Sequence, residues 1–493
     1  MSNAGRTFLF TAFSALGVTC GNAGEAGLSK PHDAEQPLTD AALPAPDQPG
    51  LPDMGTDAGE RNTHPIEWAG LNSSMQLVRD LVNRDMCASG WTVLLRDLRK
   101  EGRGHIVPLQ PDYVNYFATV EEFGFALADT YRLLGDVLPV TRISLSWPCF
   151  MGSEIIRNEF LRAIGYVLEA GYRVELTLSH HDTYPAELHE HPEFGMFGGW
   201  AHPDAAAGFT AYAREVLEAG AGILPEGSVI YLATEPTPQL FDGYLSLDGK
   251  YPPGGSGAGR SLAQAMVNQR DAFLIAGRAI RAAGYVPALA PNIRPLGSAR
   301  EEPGAALLEY LHNHWLADAL TVGCIDDDFD AWSEQGECER LVEPAVDRLG
   351  ITFYGNMAGT NQLIDFGLPG QATRPLARRW LDFESDQGQF RHALTFTIER
   401  YRAEMKARGL EVGVAEIGLS AGNSSTQLRW LEEYYTAMEE NGVLFAGIHG
   451  IFEHAEFSTG EWFFHLIARC QGACELTPWG EVFARTVRVR SER

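Results

Sequence analysis

Two glutamates carry the chemistry that this sequence points to. Glu235 closes the apolar run Val229–Thr234 and is followed by a proline, and Glu416 closes a second run that begins at Glu411. Paired carboxylates are what cleavage of a glycosidic bond requires. One gives a proton to the leaving oxygen, and the other attacks or supports the anomeric carbon. In a retaining enzyme the two groups lie about 5–5.5 Å apart. The partner that must stay ionised needs a cation or donors beside it, and the partner that keeps its proton needs a drier pocket. Arg142 lies inside the apolar stretch Val140–Trp147, where an unpaired charge is costly. It is expected to hold Glu416 ionised, with Tyr354 donating a hydrogen bond.

Other polar residues cluster where apolar runs end: Gln76, Ser146-Trp147-Pro148, His180-His181-Asp182, Thr234, Asn292, Glu453 and His454. His189 and His191 have a spacing that permits metal binding, but no HExxH or CxxC spacing supports zinc. Asp326-Asp327-Asp328 with Asp330 lacks the glycine and the terminal glutamate of an EF-hand loop. Both stretches are read as solvated, and neither a metal nor a cofactor is called for. Trp200 and Trp315 are assigned to packing, the default for such residues.

These residues need a frame that brings strand ends together. Short runs rich in Val, Ile and Leu occur at Ile66–Asn72, Val140–Trp147, Arg173–Ser179, Val229–Glu235, Ala288–Arg294, Leu349–Tyr354, Glu411–Glu416 and Phe445–Phe452. Segments of helical period lie between them: Val120–Leu134, Glu154–Ala170, Ala205–Ala219, Leu262–Ala283, Ala305–Leu316, Phe390–Arg408 and Ser424–Asn441. The last opens with a Ser424-x-x-Gln427 capping box. Gly135, Gly171, Gly220, Gly284 and Gly409 stand at helix ends, where a left-handed residue is common. Strands alternating with helices predict an α/β fold, a (β/α)8 TIM barrel with its chemistry at the C-terminal strand ends. A doubly wound sheet would show a glycine-rich phosphate loop after its first strand, and none follows Asn72. Leu240–Arg260 and Thr321–Leu341 are expected to be long loops.

The motifs, in order, resemble those of glycoside hydrolase family 1. VTRISLSWP at Val140–Pro148 looks like the family's YRFSISWP, and WAGLNSSMQ at Trp68–Gln76 is similar to WGxATSAYQ. TLSHHDTYPAEL at Thr177–Leu188 resembles TLYHWDLPQAL with one residue added, and GGW follows at Gly198–Trp200. LATEP at Leu232–Pro236 is similar to TxNEP, LHNHWLADAL at Leu311–Leu320 to FNHWFLDPL, LGITFY at Leu349–Tyr354 to LGINYY, and VAEIG at Val414–Gly418 to ITENG. The resemblance implies Glu235 as acid/base, Glu416 as nucleophile, Arg142 and Tyr354 as partners of the nucleophile, and Gln76 and His180 as donors to sugar hydroxyls. Trp147 and Trp315 look structural in the same frame. Departures are specific. Thr234 replaces an asparagine that bonds the sugar 2-hydroxyl, Ile417 replaces an asparagine, and His181 replaces a tryptophan. The late motif SLLDNFEW is reduced to FEHAEFSTGEW at Phe452–Trp462, where Glu461 and Trp462 are the candidate substrate contacts.

The rest of the composition is consistent with this reading. A net charge of −27 on 493 residues disfavours nucleic acid and anionic membrane surfaces as partners. Residues 1–20 read as a signal peptide, with Cys20 as a candidate lipidation site. Residues 21–62, rich in Ala, Pro, Asp and Gly, read as a disordered linker, and 63–493 as the barrel. The cysteines other than Cys20 are even in number, which suits disulfides in an oxidising compartment. Cys324 with Cys338, and Cys470 with Cys474, would close short loops, although connectivity stays open. The expected protein is an exported, cofactor-free retaining β-glycosidase, found in the periplasm, at the cell surface as a lipoprotein, or secreted. It would take a small saccharide or glycoside. The alternative is a barrel that binds saccharide with little or no turnover.

Overall fold

A computed structural model describes residues 66–72, 87–89, 93, 117–180, 184–190, 192, 198–245, 252–253, 259–294, 303–329, 338–353, 357–363, 376–380, 389–418, 424–452, 466–471 and 473–492. The signal-like segment, Cys20 and the linker lie outside these residues, as do Gln76, Tyr354, Glu461 and Trp462. Eight parallel strands close on themselves: β1 Glu67–Asn72, β2 Val140–Ser144, β3 Arg173–Thr177, β4 Val229–Thr234, β5 Val286–Ala290, β6 Arg348–Phe353, β7 Glu411–Ile417 and β8 Phe445–His449. Each pairs with its neighbour in sequence, and β1 pairs with β8, so the expected (β/α)8 barrel is the observed one. Near-continuous apolar sequence in the strands follows from burial on both faces, and β2, β4 and β8 are buried at every position.

The helices cover the barrel by one apolar stripe each. Val120–Leu134 starts on Thr119, whose side chain accepts from the Glu122 amide, and it buries Val120, Phe123, Leu127 and Leu134. Glu154–Glu169 is capped in the same way by Ser153. Gly171, Gly284 and Gly409 take positive φ, as helix ends of this type require. Gly135 and Gly220 do not: Gly135 stays right-handed at φ −60°, and Gly220 belongs to the helix it was expected to end. The segment read as a long loop from Leu240 opens inside a helix, Pro236–Leu245, with two prolines in its first turn, where no intrahelical amide is needed. Disulfides join Cys87 to Cys149 and Cys324 to Cys338, the pattern of an oxidising environment. Among the described residues no helix is long and apolar enough to cross a membrane.

The barrel interior carries a charged layer toward the N-terminal ends of the strands. Arg142 donates from Nε and Nη2 to Glu175 Oε2, at 2.9 and 2.7 Å. These two residues are register partners on β2 and β3. The second oxygen of Glu175 accepts from Arg348, which also donates to Glu411. The Arg142 guanidinium lies 3.6 Å over the centroid of the Tyr231 ring. Burial pushes the Tyr231 hydroxyl up to about 12. Removing one member of such a buried set leaves the others uncompensated. Glu175→Gln, which takes the carboxylate charge away from the buried Arg142 guanidinium, is expected to destabilise the fold by about 3–5 kcal/mol. Denaturant unfolding would show this as a lower midpoint at unchanged slope.

Candidate active site

β4 and β7 each gain one residue over a neighbour just before their carboxylate. Tyr231 pairs with Ala288 and Thr234 with Ala290, so β4 holds an extra residue against β5. Val414 pairs with Ile351 and Glu416 with Thr352, so Ala415 is extra in β7 against β6. Bulges of this kind re-aim a side chain and recur beside active sites. Glu235 then turns the chain from β4 into the helix Pro236–Leu245 with φ 52°, in the left-handed region. A non-glycine residue held there costs of order 1–3 kcal/mol, and such strain clusters at functional sites. The Glu235 amide donates to Ala290 O at 2.8 Å, which fixes the turn.

The Glu235 side chain is buried at 7% exposure. Its Oε1 accepts from Thr352 Oγ1 at 2.9 Å and from the Asn292 side-chain amide. Asn292 is held in turn by Arg294, whose Nε donates to Asn292 Oδ1 at 2.6 Å, and Asn313 brackets the Arg294 backbone. Thr352 is also the register partner of Glu416. One threonine on β6 thus touches the Glu235 carboxylate with its hydroxyl and stands beside Glu416 in backbone register. Glu416 is buried at 2% exposure, and its Oε1 lies 2.9 Å from His449 Nδ1 at the end of β8.

Arg142 forms an ion pair with Glu175, which lies directly across in register on the adjacent strand. It reaches β7 through Nη1, which donates to Ala415 O at 3.0 Å, at the bulged residue just before Glu416. His180 and Thr234 form a bridge at the same end of the barrel, both buried. Trp147 packs among Trp200, Phe209 and Tyr212, and Trp315 stacks on Phe329. His189 contacts Tyr184, and His191 lies outside the described residues. Carboxylate oxygens of Asp326, Asp328 and Glu339 come within 4.8 Å of one another beside the Cys324–Cys338 disulfide, while Arg270 and Arg340 pair with Asp327. Asn292 was visible in the sequence as a strand-end residue, but its bond to Glu235 was not. His449 was missed, although a histidine ending the run Phe445–Ile448 was the available signal.

No protein-family model matches the sequence, and a search of curated proteins returns no match. Solved structures do match. The β-glycosidase from Pyrococcus horikoshii superposes with TM-score 0.64 at 16% identity, over 87% of this chain and 95% of that one. The chain has the fold of the β-glycosidases. The Trichoderma harzianum β-glucosidase gives TM-score 0.62 at 16% identity over 87% and 98% of the two chains. An aphid myrosinase gives TM-score 0.63 at 14% identity over 86% and 98%. At these identities the likeness to glycoside hydrolase family 1 that the motifs carry holds at the level of the fold.

Behind the site, the LHNHW stretch supplies Asn313 to Arg294 and places His314 at the start of the helix Trp315–Thr321. Burial, with Arg400 and His312 nearby, holds the His314 imidazole well below its ordinary 6.5. The folded chain keeps it neutral where the unfolded chain protonates it. Stability is therefore lost as pH falls below about 6.5. His314→Gln is expected to flatten that loss, measured as the drop in Tm between about pH 7 and pH 5.

Proposed function

We propose that this chain is a retaining β-glycosidase that hydrolyses β-glucoside-like O-glycosidic bonds by double displacement. The observation that carries the reading is that Thr352 donates to Glu235 and stands in register with Glu416, so that two buried glutamates flank one residue at the C-terminal ends of β4 and β7. That end is where barrels of this class do their chemistry. Glu235 acts as acid/base. Its oxygen is held by neutral donors, an amide and a hydroxyl, which orient it. Glu416 acts as nucleophile. An imidazole against its carboxylate and Arg142 behind its bulge suit a group that attacks as an anion.

In the first step Glu416 attacks the anomeric carbon, the glycosidic C–O bond breaks, and the leaving oxygen takes the proton of Glu235. In the second step water attacks the glycosyl-enzyme, gives its proton to Glu235, and releases Glu416. On the family resemblance, His180 and Gln76 would donate to sugar hydroxyls, Tyr354 would partner the nucleophile, and Glu461 and Trp462 would contact the substrate. Thr234, shorter than asparagine, would make a weaker contact to the 2-hydroxyl. No cofactor enters these steps. The even set of cysteines, two bridged pairs and the apolar segment ending at Cys20 support an exported enzyme, lipid-anchored or released.

The test is hydrolysis of a panel of p-nitrophenyl β-glycosides. Glu416→Gly is expected to cost roughly 10⁴-fold or more in kcat. Added azide should restore turnover and yield the α-glycosyl azide. Glu235→Ala with azide should yield the β-glycosyl azide, formed by interception of the glycosyl-enzyme. Full activity in Glu416→Gly removes that residue from the mechanism. Sugar binding without release from any donor makes the chain a saccharide-binding barrel instead.

A further inference from the structure

We propose that His449 is the positioning residue of the nucleophile, donating from Nδ1 to the Glu416 carboxylate; this rests on the reading of Glu416 as nucleophile. The two groups are 2.9 Å apart, and their side chains are 4% and 2% exposed. Neither can turn away into solvent. β7 and β8 are joined at Ile417 and Ile448, so His449 stands two register positions beyond the residue opposite Glu416, a diagonal neighbour on the adjoining strand. A terminal carboxylate torsion is broad and roughly two-fold, so burial alone does not orient it. A donor against one of its oxygens does, and His449 is a donor side chain that the structure places against Glu416 Oε1. The contact requires the tautomer with hydrogen on Nδ1, or the imidazolium, both of which donate there. A nucleophile displaced by even 1 Å loses on the order of 10²-fold in rate.

His449→Phe and His449→Asn separate positioning from packing. Phenylalanine keeps a ring and no donor, whereas the asparagine amide can place an N–H where Nδ1 stood. His449→Phe is expected to lower kcat on aryl β-glycosides by ~10²-fold with KM changed less than about threefold. His449→Asn should recover to within about tenfold of the parent. In the Glu416→Ala background with azide, the cost of His449→Phe should shrink to less than about threefold, because the group it acts through is gone. Melting temperatures are recorded for every variant. An equal cost in both backgrounds, or an asparagine variant no better than phenylalanine, overturns the proposal and leaves His449 a packing residue. If Glu416→Ala forms no α-glycosyl azide, the nucleophile assignment itself fails, and this inference with it. If the azide forms and His449→Phe keeps full kcat, only the role of His449 is lost.

Discussion

A guanidinium can sit inside a closed parallel barrel only if its charge and its N–H groups are met there. Arg142 meets that condition by reaching in two directions at once. It takes the Glu175 carboxylate on the adjacent strand, and it crosses to the carbonyl of Ala415 on β7. The Tyr231 ring on β4 lies under its flat face, so three other strands are bound to one side chain. Arg348 and Glu411 extend the same network to the ends of β6 and β7. The layer above, where the carboxylates lie, rests on this arrangement.

The bulged carbonyl that Arg142 holds immediately precedes Glu416, so the electrostatics of the core and the aim of the carboxylate are one problem. A bulge frees a carbonyl from the strand ladder, and the buried guanidinium satisfies it. On β4 the matching extra residue is followed by a left-handed glutamate and a helix that begins at once. Each acid is thus placed by an irregularity in its strand rather than by regular pleating. Thr352, between them on β6, donates to one acid and pairs in register with the other. This places both acids beside one residue of β6 without appeal to likeness with any other protein.

Legibility followed the range of the interaction. Eight runs of branched apolar residues, spaced by helical segments, announced the barrel because strand burial on both faces is a local pattern. Glu235 and Glu416 were legible because each ended such a run. The pairing of Arg142 with Glu175 was not, since register across β2 and β3 sets it. His449 was passed over because the last apolar run was carried on to Phe452, whereas β8 ends at His449 itself. The helix after Glu235 was hidden by prolines, which signal loops except in a first helical turn.

The order of the strands and the even number of cysteines other than Cys20 were determined by the amino-acid sequence alone, because each rests on periodicity or composition. Which groups face each acid was decided only by tertiary structure. Closure of the barrel sets the stagger between strands, and one inserted residue changes which side chain enters the interior. The contacts of Glu235 with Asn292 and Thr352, and of Glu416 with His449, all follow from that stagger.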